Sequence, residues 1–117
     1  MYLKVSTGKE DLYYRFDDGS SVKIGRGSSN DINLSTEGLS RNHLQIQSSK
    51  NGEYYVIDLG ATNGSFINEE KLVPNKKFPF NTFFPVQLGF HVKLHLIDES
   101  RNTAALDELV KKTKESI

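Results

Sequence analysis

Short apolar stretches separated by turn signals make up residues 1–99, and no helical pattern alternates with them. Residues 44–47 alternate between apolar and polar side chains, and an Asn-Gly turn joins them to a second stretch at 54–59, a pattern typical of a hairpin. Residues 11–25, with a run of turn residues at their centre, predict another hairpin. Many short strands with regularly spaced turns are typical of a sandwich or a barrel. We therefore predict an all-β fold, and within that class a two-sheet β-sandwich.

The tail differs in kind, because residues 100–117 favour a helix. Thr103 is a candidate cap for the first turn of that helix. The tail can pack on the sandwich, begin a linker or coiled coil, or mediate self-association. We therefore divide the chain into a β-sandwich domain at 1–99 and a helical tail or linker at 100–117. The residues at helical spacing are Leu106, Leu109, Val110, Thr113 and Ile117.

The balance of charges limits the kinds of partner. The chain has 15 Lys plus Arg and 15 Asp plus Glu, so its formal net charge is zero. Nucleic-acid and membrane binders gain much of their affinity from excess positive charge, and we therefore expect neither partner. There is no cysteine, which excludes disulfides and thiolate metal sites. With no signal-peptide pattern and no apolar run of membrane-spanning length, we expect an intracellular protein, nuclear rather than cytoplasmic.

The sequence has no catalytic or metal-binding pattern. The three histidines are not arranged with a nucleophile or with clustered carboxylates in a catalytic pattern. His91 and His95 are four residues apart, which is about 13 Å along an extended strand and too far to share one metal ion. The Gly-rich segment at 25–30 lacks the third glycine of a nucleotide-binding loop, and no helical pattern follows it. We expect no enzymatic activity, no cofactor and no metal.

Polar residues that strand formation does not explain are concentrated in three loops, at 24–31, 39–43 and 59–65. Each loop joins two strand candidates. The three can therefore meet at one end of a sandwich, as binding loops on a rigid scaffold do. Within these loops the sequence reads Gly25-Arg26, then Ser40-x-x-His43, then Asn63-Gly64 after an Asp-x-Gly turn.

The order and spacing of these three motifs closely resemble the forkhead-associated (FHA) domain family, from about the first strand to Ile97. The resemblance implies an FHA/SMAD-like β-sandwich of about eleven strands that binds a phosphothreonine-containing protein segment through its apical loops. It also implies a role for each loop residue. Phosphate binding falls to Arg26, Ser40 and Arg41, peptide-backbone binding to Thr62 and Asn63, and structural support of the site to Gly25, His43 and Gly64.

The chemistry of these residue types agrees with that assignment. A phosphate monoester carries nearly two negative charges at neutral pH and presents three strong acceptor oxygens. The planar guanidinium of Arg26 can donate to two of these oxygens at once, and the Ser40 hydroxyl can donate to a third. The Asn63 carboxamide offers a donor and an acceptor to an extended backbone, which has one of each per residue.

The sequence therefore predicts a phosphothreonine-dependent protein-protein interaction module. A second interpretation stays open. The chain could keep the FHA fold as a scaffold or dimerisation module that binds partners independently of phosphorylation. Each motif also has an ordinary structural reading, since a loop arginine is often only solvated and Asn-Gly forms turns in many β proteins.

Overall fold

The computed structural model describes residues 1–98 and 103–115, which form two β-sheets and one helix. The two-sheet sandwich expected from the sequence is thereby confirmed. In chain order the elements are β1 (Tyr2–Ser6), β2 (Asp11–Arg15), β3 (Ser21–Gly25), β4 (Ile32–Asn33), β5 (Leu44–Ser48), β6 (Tyr54–Asp58), β7 (Ser65–Ile67), β8 (Glu70–Lys71), β9 (Lys77–Pro79), β10 (Val86–Leu88), β11 (Val92–Ile97) and α1 (Thr103–Glu115).

The two sheets contain six and five strands. The first sheet has the order β2-β1-β11-β10-β7-β8, and the second has the order β4-β3-β5-β6-β9. Neighbouring strands are antiparallel except β3 and β4, which are parallel. The strand β9 ends at Pro79 and lies at the edge of its sheet, where a residue without an N–H group is tolerated.

Alternating side chains of the strands fill the space between the sheets. In β11 the buried side chains are Val92, Leu94 and Leu96, two residues apart because successive side chains of a strand point to opposite faces. Leu44 and Ile46 of β5 are fully buried in the same core. Burial of each such aliphatic side chain stabilises the fold by about 1.5–3 kcal/mol, so the core holds the loops on a rigid base.

The strand register gathers the three polar loops at one end of the sandwich. Leu44, the first residue of β5, pairs with Ile24 of β3 and with Asp58, the last residue of β6. Because both neighbours run antiparallel to β5, the end of β3, the start of β5 and the end of β6 share one edge. We call this the apical end. The turn between β5 and β6 lies at the opposite end.

The hairpin predicted for residues 11–25 is wrong. The strand β2 pairs with β1 in the first sheet, whereas β3 pairs with β4 and β5 in the second. Phe16, which follows β2, is buried and packs edge-on against Tyr54 with ring centroids 5.6 Å apart. Gly19 N–H then donates to Ser48 Oγ at 2.7 Å. Both contacts join the segment between β2 and β3 to the second sheet, so the chain crosses from one sheet to the other there.

The helix α1 packs along β2, one of the arrangements that the sequence left open. Its buried side chains are Leu106 and Thr113. The hydroxyl of Tyr2 donates to Asp107, whose carboxylate also lies 4.0 Å from the Arg15 guanidinium. The division of the chain at residue 99 and self-association through the tail remain predictions. Ile117, expected at the end of the helix, lies outside the described residues.

A side chain of the helix accepts a hydrogen bond from the outer edge of β2. Tyr13 N–H donates to Thr113 Oγ1 at 2.8 Å, and the same hydroxyl donates to Leu109 C=O at 3.0 Å. An edge strand carries unpaired N–H groups that can pair with other chains. The tail helix therefore protects an edge that would otherwise be exposed.

We expect Thr113→Val to destabilise the docked helix by about 1–3 kcal/mol, because it leaves the Tyr13 N–H without its acceptor. The rate of hydrogen exchange at the Tyr13 amide should rise. Thr113→Ser keeps the hydroxyl and serves as the matched control, with near-normal exchange. Equal protection of Tyr13 in the Val and Ser variants would show that this contact does not hold the helix.

Candidate functional site

All five residues predicted to contact a ligand line one open depression at the apical end, of about 490 Å³. We call it the apical depression. The three loops that follow β3, precede β5 and follow β6 each contribute to it, as the register requires. Its predicted residues are Arg26, Ser40, Arg41, Thr62 and Asn63, and its other walls are Gly38, Leu39, Asn42, Leu59 and Gly60.

Arg26 is held by its backbone and by one nitrogen of its guanidinium. Its N–H donates to Ser40 C=O at 3.0 Å, and its Nε–H donates to Leu39 C=O at 3.2 Å. The side chain is exposed. No carboxylate lies within 4 Å of the guanidinium in the parts of the chain that the structure describes. The two terminal amino groups are therefore available to an anion, in a guanidinium whose position is already set.

Ser40 connects the loop before β5 with the loop after β6. Its Oγ accepts a hydrogen bond from Thr62 N–H at 2.9 Å. Because a hydroxyl has one hydrogen and two lone pairs, this contact leaves the hydroxyl hydrogen available for a ligand oxygen. Ser40 is half-buried and Thr62 is exposed, so the hydroxyl lies at the boundary between the loops and the solvent.

His43 lies beneath these groups and is fully buried. Its Nδ1 accepts Ser40 N–H at 3.1 Å, and its Nε2 lies 2.8 Å from Gly64 C=O. Since Nδ1 accepts, Nε2 carries the proton and donates, which makes the imidazole neutral. Burial lowers the pKa of His43, against smaller opposing effects of the Gly64 hydrogen bond and the Asp58 charge. The histidine thereby fastens two loops together.

Gly25 supports the site through close packing. A Cβ at this position would lie 2.3 Å from Arg41 C=O, a distance at which the backbone has to move. The φ of Gly25 is not positive, so the close approach to Arg41, and not a left-handed backbone, requires a glycine here. Gly64, by contrast, has a φ of 75°, which an L-residue rarely adopts.

Asn63 is partly committed within the protein. Its Nδ2 donates to Gly38 C=O at 3.0 Å, so one carboxamide hydrogen fixes the loop before β5. The side chain is half-buried and lines the apical depression. Its carbonyl oxygen and second amide hydrogen make no hydrogen bond to the described residues and remain available to a ligand.

Two buried residues that support the site were not predicted. Asp58 accepts hydrogen bonds from Gly60 N–H at 3.1 Å and from Ser65 Oγ–H at 2.5 Å. Asn30 Nδ2 donates to Gly27 C=O at 2.8 Å and to Arg41 C=O at 2.6 Å. The Asp-x-Gly turn could have identified Asp58, because an aspartate often accepts N–H bonds two residues ahead.

The model of one known protein family, the FHA domain, matches residues 22–89, more than half of the chain. The chain belongs to the FHA domain family. The resemblance inferred from the three loop motifs is thereby confirmed. The match spans the strands β4 to β10 and all three loops of the apical end.

One known relative and two solved structures are similar to this FHA domain. The E3 ubiquitin-protein ligase RNF8 of Rattus norvegicus is 27% identical over 115 residues, which cover 94% of this chain and 22% of RNF8. The chain thus spans about a fifth of that relative's length. The FHA domain of CT664 from Chlamydia trachomatis has a TM-score of 0.68 at 20% identity, covering 84% of this chain and 100% of that one. The MEK1 FHA domain in complex with the HOP1 pThr318 peptide has a TM-score of 0.64 at 17% identity, with coverages of 82% and 97%.

Neither a metal site nor a membrane span is found in residues 1–98 and 103–115. No group of three or more His, Asp or Glu side chains there could hold a metal ion. The helix α1 is too short and too polar to cross a membrane.

We expect His43→Ala to lower the free energy of unfolding by roughly 3 kcal/mol, since it leaves the Ser40 N–H and the Gly64 C=O without partners. The lowered pKa also predicts a pH effect. The unfolded state binds the proton first, so the contribution of His43 to stability is complete above about pH 6.5 and is lost as the pH falls through the folded-state pKa.

Urea unfolding of the unmutated domain, His43→Ala and the exposed-site control His91→Ala, at pH 7.5 and pH 5, checks both effects. The control should lose as much stability on acidification as the unmutated domain, and His43→Ala should lose less. Identical pH dependence in all three proteins would contradict a buried neutral imidazole.

Proposed function

We propose that this FHA domain is a phosphothreonine-dependent interaction module that recruits phosphorylated partner proteins. The observation that carries the proposal is the Arg26 guanidinium. It is pre-positioned by Leu39 C=O, is exposed, and shares the apical depression with the Ser40 hydroxyl. A buried or paired arginine could not bind a dianion in this way. The MEK1 FHA domain, whose fold is similar, binds a phosphothreonine peptide, which supports the same use of this end of the sandwich.

The proposed roles follow from the geometry and charge of each group. Arg26 and Arg41 offer positive charge and N–H donors to the phosphate oxygens, and the Ser40 hydroxyl donates to a third oxygen. Thr62 and Asn63, in the loop after β6, line the same depression and bind the peptide backbone. Backbone hydrogen bonds already join the loops beneath, from Arg26 N–H to Ser40 C=O and from Gly27 N–H to Arg41 C=O, so binding requires little reorganisation.

The recruiting role does not include catalysis. The FHA domain family is a family of binding modules, and the ligase activity in the name RNF8 belongs to a protein of which this chain covers 22%. We also propose that the partner is phosphorylated and that the domain therefore acts in signalling. The expected nuclear location gains no support from the relatives, which include proteins from bacteria.

We expect Arg26→Ala to weaken binding of phosphothreonine peptides at least about 100-fold, because it removes two charge-assisted hydrogen bonds. Titration of matched phosphorylated and unphosphorylated peptides measures this. Lys50→Ala is the control, since it removes one exposed positive charge at the end of the sandwich opposite the site. Equal affinities for the two peptides, in the unmutated domain and in Arg26→Ala alike, would favour the phosphorylation-independent scaffold instead.

Arg41→Ala should weaken the same binding less than Arg26→Ala. The guanidinium of Arg26 is already fastened through Nε, whereas that of Arg41 has no hydrogen bond to any described residue. Arg41 therefore loses more side-chain entropy when it contacts the ligand. The reverse order of effects in the same titration would make Arg41 the main cation.

A further inference from the structure

A second depression, of about 320 Å³, adjoins the apical depression on the side of the loop after β3. We call it the arginine-serine depression. It shares Arg26 and Arg41 with the apical depression and adds Gly27, Ser28 and Ser29. We propose that it binds a second anionic side chain, on the same ligand segment as the phosphothreonine. This proposal rests on the proposed function and specifies its ligand further.

The charge of the arginine-serine depression favours an anion. Its two guanidiniums have no carboxylate within 4 Å among the described residues. The acidic residue of the same loop, Asp31, does not line the depression, and its carboxylate accepts Lys23 N–H at 2.8 Å. The local field is therefore positive although the net charge of the chain is zero.

The hydroxyls of Ser28 and Ser29 supply further donors. Both residues are exposed, and within residues 1–98 and 103–115 neither hydroxyl makes a hydrogen bond. A hydroxyl that makes no internal bond can turn its hydrogen toward a ligand oxygen. The primary phosphate has no evident need of these groups, because the Ser40 hydroxyl and both arginines already face the apical depression.

The base of the arginine-serine depression is pre-formed. Gly27 N–H donates to Arg41 C=O at 3.0 Å, and the buried Asn30 bonds both Gly27 C=O and Arg41 C=O. A Cβ on Gly27 would lie 2.5 Å from Arg41 Cγ, so the two loops are in close contact. Little loop ordering is then needed when an anion binds.

The set of donors matches a phosphate better than a carboxylate. Two planar guanidiniums and two hydroxyls can serve three oxygens that carry nearly two charges, whereas a carboxylate has two oxygens and one charge. We expect a second phosphorylated residue to bind best, an acidic residue at the same position to bind less well, and a neutral residue to add nothing.

The test uses peptides with one phosphothreonine and a second site moved along the chain. Because the two depressions share residues, the second anion should lie within about three residues of the first. At each position the peptide carries phosphoserine, glutamate or serine. We expect one position at which phosphoserine tightens binding about tenfold over serine, with a smaller gain for glutamate. No gain at any position would overturn the proposal.

The double variant S28A/S29A separates this site from the first. Its gain from the second phosphate should fall below about threefold, while its affinity for the singly phosphorylated peptide should equal that of the unmutated domain. The control Ser35→Ala removes another exposed hydroxyl, from the loop before β5, and should keep the full gain.

Two results with these variants would overturn the proposal. The full gain could persist in S28A/S29A, or the double variant could weaken the singly phosphorylated peptide as much as the doubly phosphorylated one. The second result would place the first phosphate itself in the arginine-serine depression. Failure of the proposed function looks different, because the unmutated domain would then not distinguish singly phosphorylated from unphosphorylated peptide.

Discussion

The neutral imidazole of His43 joins the loop before β5 to the loop after β6, and the binding groups depend on that contact. Ser40 N–H and Gly64 C=O are its two partners, and Ser40 C=O in turn accepts the N–H of Arg26. One buried side chain thus sets the distance between three loops. A charged imidazole could not accept from Ser40, so the low pKa that burial imposes is a requirement of the geometry as well as a result of it.

The polar groups of the site form two sets: those that bond one another and those that are available to a ligand. Backbone groups of the loops bond one another, as in the contacts of Gly27 N–H and Arg26 N–H. The charged ends of Arg26 and Arg41 and the hydroxyl hydrogen of Ser40 lack such internal partners within the described chain. A carboxylate beside Arg26 would form an ion pair in the free domain, and a ligand would have to displace that carboxylate in order to bind.

The sequence predicted the parts of this structure that depend on local patterns. Alternation at residues 44–47 and the Asn-Gly turn after them indicated β5 and β6, and the loop motifs predicted that Arg26, Ser40 and Asn63 meet at one end. The turn after β2 was misassigned, because turn residues indicate that a chain reverses but not which sheet the next strand joins. The support from Asn30 could not be predicted, since its partner Arg41 C=O is close only after β3 and β5 have paired. The sequence assigned Gly25 to support of the site but did not indicate its contact with Arg41 C=O, because a close approach between loops leaves no local signal.

Because two arginines line both depressions, the binding energy that a second anion can add is limited. Two dianions about three residues apart, or roughly 10 Å, repel each other in water by about 0.5 kcal/mol at physiological salt. Arg26 and Arg41 reduce this repulsion because both line both depressions, but each guanidinium has a fixed number of N–H donors. A second phosphate therefore has to gain most of its binding energy from donors that the first does not use. Among the described residues that line the arginine-serine depression, the side chains that can supply such donors are Ser28 and Ser29. The hydroxyls, and not the arginines, therefore determine whether a doubly phosphorylated ligand binds more tightly than a singly phosphorylated one.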